Sequence, residues 1–504
     1  MHNQRSSAPP DLTAAFPVYA VPLREVMQLS RMVSHEELNP REWEPSKGPL
    51  CFVSHQWTSR TAPDPDGVQF AALKDSFSKL HELFTQAHHA AQVGSPPIAP
   101  SEYDQLWVWL DYWSIPQAAE SGEQRDAAID SIPYYATSAS FMLVLCPPTP
   151  HIDTGTVCDL ASWERRGWCR LERMAFTLAS FSTVSPPKVY IVKGSSSFGR
   201  LNNSYFSKPA QSLFKGEFSF EGDRHRLLPV AKTIFKSACL NRKEQDVVAW
   251  RKLLAIEHVL FSGCTEWEAA SELARRAVTV DSFLEKYELS SVLEHGSAGM
   301  TALHYAAYEN NPEAVKVLIA GGAKVDARDV EDFPRGGGGT PLFFALRSGC
   351  YEASLALLQA GADVNHAATV GPPITNMLSV GHEGLHDNSD EMLALVLRYG
   401  ADVNATPSWK KPEGSSLPFA DLFNGPTMLY CAAHRGQVNK VRMLLQHRAD
   451  PGVKCSDGAH KGRTPLDAAI ERQHGEIVEL LESYSKLKIP LFCGSSTIAS
   501  CTLM

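Results

Sequence analysis

Two hydrophobic periods divide the chain. Before residue 200 the apolar residues fall in short unbroken runs: Leu50-Cys51-Phe52-Val53-Ser54, Leu106-Trp107-Val108-Trp109-Leu110, Phe141-Met142-Leu143-Val144-Leu145 and Val189-Tyr190-Ile191-Val192. Runs of this length without polar alternation predict strands buried on both faces. The intervening stretches Gln69 to Gln92 and Gln124 to Ala136 are long enough for helices. The pattern therefore predicts a parallel α/β sheet covered on both sides. Ligands of such sheets bind beyond the carboxyl ends of the strands. The sequence puts Ser54-His55-Gln56-Trp57, Asp111-Tyr112-Trp113 and Cys146-Pro147-Pro148 there.

After residue 200 the period changes. Asp246 to Phe261 and Glu266 to Ala277 carry apolar residues at helical spacing. The region 199–298 reads as a helical connector and cap. Beyond it the chain repeats itself. Thr301-Ala302-Leu303-His304-Tyr305-Ala306-Ala307, Thr340-Pro341-Leu342-Phe343-Phe344-Ala345, Thr427-Met428-Leu429 and Thr464-Pro465-Leu466-Asp467-Ala468-Ala469 open segments. Gly322-Ala323-Lys324-Val325-Asp326, Gly361-Ala362-Asp363-Val364-Asn365, Gly400-Ala401-Asp402-Val403-Asn404 and Arg448-Ala449-Asp450 close them. The closures lie 39 residues apart from Gly322 to Gly361 and from Gly361 to Gly400, then 48 on to Arg448.

These segments resemble ankyrin repeats, which have a basic period of about 33 residues and a T-P-L-H-x-A opening. The resemblance covers 299–485 with about five copies. The excess length sits in inserts at Asp329 to Gly339, His366 to Asp390 and Ala405 to Gly425. The third copy lacks the opening signature, for which Ile374-Thr375-Asn376-Met377-Leu378 is a weak substitute. The physics of each unit agrees. Thr caps the first helix, Pro suits its first turn, small Ala residues admit close packing, and Gly stops the second helix. His304 reads as a structural hydrogen-bonding residue. The resemblance implies an all-α solenoid that takes a protein partner on its concave face.

Composition narrows the function classes. The 504 residues suffice for roughly three domains. The formal net charge of −9 demotes non-specific nucleic-acid binding, so no nucleic acid is expected as a partner. Eleven cysteines are irregularly spaced with no C-x-x-C pair, which argues against a disulfide framework or zinc ribbon and for a reducing compartment, the cytoplasm. The first residues, MHNQRSSAPPDLTAAF, hold no apolar signal core, and the run Phe141 to Cys146 is far short of a membrane span. Residues 1–47 read as an N-terminal extension. No metal site and no required cofactor is expected; no G-x-G-x-x-G, P-loop, H-E-x-x-H or G-x-S-x-G motif is present.

The N-terminal motifs resemble a second family. Phe52-Val53-Ser54-His55 looks like the first strand of a Toll/interleukin-1 receptor (TIR) domain. Ala128-Ile129-Asp130-Ser131-Ile132 and Gly167-Trp168-Cys169-Arg170-Leu171-Glu172 are similar to its "AI..S" stretch and its "WCLxEL" helix. The match covers roughly 48–195, within a domain read as 48–198, and implies a TIR/flavodoxin-like fold. A looser similarity links Trp109-Leu110-Asp111-Tyr112-Trp113-Ser114-Ile115-Pro116-Gln117 to the "WIDxLCIxQ" segment of fungal heterokaryon-incompatibility domains. Arg170 and Arg173 depart from apolar TIR positions, and Pro-rich stretches remodel the loop between the first two strands.

In enzymatic TIR domains the helix Glu is the catalytic residue of NAD hydrolysis, and the matching position is Glu172. A carboxylate there would stabilise the positive charge that builds on the ribose. Trp168 lies four residues earlier, on the same helix face, and with Ser54, His55 and Asp111 it forms a candidate substrate-binding set for NAD. Each has a plainer reading. Glu172 suits a surface helix residue paired with Arg165 or Arg166, Trp168 a core residue, His55 a turn residue and Asp111 a helix cap.

The tail 486–504 ends in Cys501-Thr502-Leu503-Met504, a C-a-a-X tetrapeptide of the farnesylation type. It reads either as a lipidation site at Cys501, giving weak membrane association, or as a chance match. The sequence thus describes an adaptor for protein–protein interaction in signalling or an immune- or stress-like response. The alternatives are an NAD-cleaving enzyme and an N-terminal domain that only self-associates.

Overall fold

The structure, a computed structural model, describes residues 13–85, 98–180, 188–194, 198–200, 212–218, 222–296, 299–329, 337–368, 374, 389–406, 425–456 and 460–486. The chain divides into two compact units, one running from the N-terminus through Asp363 and one holding most of the rest.

The first unit opens on a seven-stranded sheet. Its strands are β1 (Tyr19–Pro22), β2 (Arg41–Glu42), β3 (Leu50–His55), β4 (Trp107–Leu110), β5 (Phe141–Leu145), β8 (Val189–Val192) and β9 (Phe198–Arg200), in the order β2-β1-β4-β3-β5-β8-β9. A separate ribbon pairs β6 (Thr149–Pro150) with β7 (Val157–Cys158). The four unbroken apolar runs are the four parallel strands β4-β3-β5-β8. In chain order they stand second, first, third and fourth. The sheet as a whole is mixed: β1 joins β4, and β9 joins β8, antiparallel. The sheet therefore draws on the segment that the sequence reads as an N-terminal extension.

Alternation along β3 assigns its two faces. Leu50 and Phe52 share one apolar cluster with Met142, Val144, Tyr135, Leu171 and Met174. Cys51 and Val53 share another with Phe70, Leu73, Phe77 and Leu143. The helices Ile132–Ser138 and Gly167–Ala179 thus cover the first face, and Val68–Thr85 covers the second. Register places Phe52 opposite Trp109, and their rings stack at 4.4 Å. The helix expected over Gln124 to Ala136 is two helices, Gly122–Asp130 and Ile132–Ser138. Pro133 has no N–H to give the turn before it, and the break lets Ser131 Oγ accept from the backbone of Ala15 and Phe16.

The connector is not a loose linker. Its long helix Gly222–Gln245 and the helix Val247–Ala255 put Leu227, Ala231, Ile234, Phe235, Trp250 and Leu253 into the same cluster as Phe52 and Met174. Ser212–Phe218 presses on the start of the Gly167–Ala179 helix. Gly167 N–H donates to the Glu217 carbonyl at 2.8 Å and Glu217 N–H to the Arg165 carbonyl at 2.6 Å. A Cβ on Gly216 would stand 2.7 Å from Gly167 Cα, so only glycine allows this approach. Arg170 and Arg173, out of place against the TIR pattern, are both buried. Arg170 donates to the carbonyls of Glu164 and Ser212, each at 2.6 Å. Arg173 lies 3.6 Å from the Glu164 carboxylate and over the Trp163 ring.

Candidate functional site

The carboxyl end of β3 gathers most of the residues singled out in the sequence. Ser54 and His55 point to opposite faces of the sheet at its last two positions. Asp111 follows β4 directly, and Glu172 sits on the Gly167–Ala179 helix. Ser54 Oγ hydrogen-bonds Glu172 Oε2 and accepts the Trp163 indole N–H at 2.9 Å. His55 Nε2 lies 2.7 Å from Asp111 Oδ1, and Asp111 also accepts from Trp57 Nε1 at 2.9 Å and the Tyr112 N–H at 2.7 Å.

The hydrogen bonds fix the state of His55. Gln69 Nε2 donates to the Gln56 carbonyl, so Gln69 Oε1 is the acceptor facing His55 Nδ1 at 2.8 Å. The other ring nitrogen faces a carboxylate. Both ring nitrogens face acceptors, an arrangement that favours the protonated ring, and only 1% of the side-chain surface is exposed. Burial alone would lower its pKa, but the Asp111 charge and the bonds to Asp111 and Gln69 together raise it. Burial likewise would raise Asp111, yet His55, Trp57 and the Tyr112 N–H hold it below the ordinary carboxylate range. The pair ties β3, β4 and the Val68–Thr85 helix together.

Glu172 is different. Burial pushes its pKa up to about 7; the Ser54 hydrogen bond opposes this, the Asp111 charge adds to it, and His55 and Arg166 pull it back. It is partly open to solvent, and it titrates where a general acid or base works best. Cys169, beside it, is no nucleophile: burial pushes its thiol up to about 12. Trp168 does not join the group. Its indole N–H donates to Asp223 of the connector at 2.9 Å, and its ring packs at the edge of the core. Sequence reasoning missed Gln69 and Trp163 as members of the cluster. Trp57 stood in the run after β3 and was within reach of it. Cys501 lies outside the described residues. Among the described residues no group of histidine, cysteine and acidic side chains could hold a metal, and no helix is long and apolar enough to cross a membrane.

The second candidate surface is the repeat region. Helix pairs follow each opening: Ala302–Tyr308 with Pro312–Ala320, Pro341–Arg347 with Tyr351–Gln359, Met428–His434 with Val438–Gln446, and Pro465–Glu471 with Gly475–Lys486. Of the third copy, Ser389–Arg398 is described along with Ile374 alone from its weak opening segment. Thr340, Thr427 and Thr464 cap their helices, each accepting the N–H three residues on. His304 Nδ1 accepts the Thr301 N–H at 3.0 Å, so its Nε2–H donates to the Gly339 carbonyl of the next copy at 3.1 Å. Burial pushes His304 down to about 4, which keeps it neutral in this bridge.

The closing motifs interlock. Asp326 accepts the Asp363 N–H at 3.1 Å in the first unit; in the second, Asn365 accepts that of Asp402 at 2.7 Å and Asn404 that of Asp450 at 2.8 Å. In each rung the last residue of one closure holds the third position of the following one. A family model described as ankyrin repeats (3 copies) matches residues 268–368 and 385–489. The C-terminal region is an ankyrin-repeat array. That match starts inside the helix Thr265–Arg276. The chain is 30% identical over 179 residues to the B-cell lymphoma 3 protein homolog of Mus musculus, covering 35% of this chain and 33% of that protein. It is 31% identical over 194 residues to ankyrin repeat and SOCS box protein 6 of Homo sapiens, covering 36% and 42%. It is 31% identical over 108 residues to Rabankyrin-5 of Homo sapiens, covering 21% and 9%. The chain spans about a third of the length of the first of these relatives.

Among the described residues, the fourth copy stops its second helix irregularly. Gly322, Gly361 and Gly400 end their second helices at φ of 94°, 87° and 83°, whereas the fourth copy uses Arg448 at φ 67°. A side chain in the left-handed region costs roughly 1 kcal/mol, and Arg448 is exposed. Arg448→Gly is expected to stabilise the array by about 1 kcal/mol in urea unfolding; an unchanged or lower midpoint would contradict this.

Proposed function

We propose that the protein is a cytoplasmic adaptor in a signalling or immune- and stress-like response, binding a protein partner on the concave face of its ankyrin array. The observation that carries this is the match to ankyrin repeats with their capped helix pairs, a repeat type that offers many side chains to one large ligand. Ile470 on the Pro465–Glu471 helix is 55% exposed beside a recess lined with Arg463, Asp467 and Glu471, and it suits an apolar anchor within a charged rim. In cells, proximity labelling by the intact chain should mark a defined protein, and Ile470→Asp should weaken that mark at least tenfold with the fold intact. Equal labelling by both would remove Ile470 from the interface. Labelling no richer than that by an unrelated soluble protein would remove the adaptor reading.

A second reading is favoured by the cluster at the end of β3. A TIR-like domain that cleaves NAD would use Glu172 as its catalytic carboxyl group. The order of the four parallel strands suits that fold, since the flavodoxin-like winding begins second, first, third, fourth. Purified protein would then release nicotinamide from NAD, and Glu172→Ala would slow release about 100-fold or more. No release, or equal release from both proteins, rejects the enzyme. A lipid on Cys501 would add a weak membrane contact, and Cys501→Ser would then shift the chain from the membrane fraction to the supernatant. Identical partitioning rejects the anchor.

A further inference from the structure

Glu172 is held by a chain of two donors. Trp163 is fully buried, and its indole N–H can only donate; it donates to Ser54 Oγ. The hydroxyl in turn donates to Glu172 Oε2. Ser54 is 1% exposed, so water does not compete for that proton.

We infer that Trp163 and Ser54 are positioning residues that orient the Glu172 carboxyl. This reassigns Ser54, whose hydroxyl is engaged inside the protein by Trp163 and Glu172. The inference deepens the enzymatic reading of Glu172 and rests on it for its purpose, though not for its geometry. The charged and titratable groups facing Glu172 are His55 on β3, Asp111 after β4, Arg166 ahead of the helix and Cys169 within it.

The test follows the protonated-carboxyl band of the intact chain by difference infrared titration, with Glu172→Gln as the blank that isolates Glu172. In the unaltered protein the band should vanish with a midpoint near 7. Ser54→Ala removes the donor that favours the ionised form and should raise the midpoint by about one pH unit. Ser54→Thr keeps the hydroxyl and should restore it. Trp163→Phe frees the hydroxyl to turn away and should give an intermediate rise. A purely structural role for Ser54 would change thermal stability and leave the midpoint alone. An unmoved midpoint in Ser54→Ala, or no rescue by threonine, overturns the inference. Nicotinamide release measured on the same proteins separates the two failures. A shifted midpoint without any release keeps the positioning pair and removes NAD cleavage.

Discussion

Glu172→Gln is expected to make the protein more stable at pH 8 and to leave it nearly unchanged near pH 5. Glu172 has a pKa of about 7 in the folded chain against 4.5 for an ordinary Glu. A folded-state value raised in this way contributes its full stability below 4.5 and loses it as pH rises through 7. At pH 8 the carboxylate is ionised in both states, and holding the charge at the end of β3 works against folding. A shift of this size would be worth roughly 3 kcal/mol, and solvent at the partly open site reduces that to about 2. Glutamine removes the charge while its carbonyl still accepts from Ser54. Melting the two proteins side by side at pH 5 and pH 8 checks this. A variant that gains nothing at the higher pH would show that Glu172 ionises without hindrance. A residue whose replacement stabilises the fold is retained for something other than the fold.

The opposite outcome is expected at Asp111. Asp111→Ala strands the His55 imidazolium and leaves the Trp57 indole and the Tyr112 N–H without their acceptor. Breaking a buried pair from one side costs about 3–5 kcal/mol, and the 31% exposure of the Asp111 side chain puts this case near 3. The pH dependence follows from both partners. His55, raised above 6.5, contributes fully below 6.5 and loses its contribution as pH climbs through its folded value. Asp111, lowered below 3.8, contributes above 3.8 and loses it as pH falls through its folded value. The difference between the native protein and Asp111→Ala should therefore be widest between 3.8 and 6.5 and narrow at alkaline pH. Urea midpoints across that range would show it; a gap that widens above pH 8 would contradict the charged pair.

The strand core was legible because burial on both faces leaves no polar alternation, and all four apolar runs are parallel strands. β1 was not, because Tyr19–Pro22 has only four residues and ends on Pro22, which looks like punctuation. Pro133 was the visible reason to divide one expected helix into two. Ser54, His55, Asp111 and Glu172 were findable from strand ends and one motif, but their roles were not. Whether a hydroxyl faces a ligand or a buried indole depends on Trp163, which lies 109 residues from Ser54 in sequence. The i, i+4 spacing placed Trp168 and Glu172 on one helix face correctly as geometry. It could not foresee that Asp223 of the connector would claim the indole. In the array the repeats were plain, and the rungs between closures required only that each motif end in Asp or Asn.

The shared apolar cluster limits where this molecule can be cut. A fragment spanning 48–198 would lose β1, which borders β4, and would bare the face on which Leu227, Ile234, Phe235 and Trp250 rest. Such an excised piece should clump or misfold, and a silent enzyme assay performed on it would say nothing about Glu172. An excerpt that keeps these surfaces covered has to include β1 and the helices Gly222–Gln245 and Val247–Ala255.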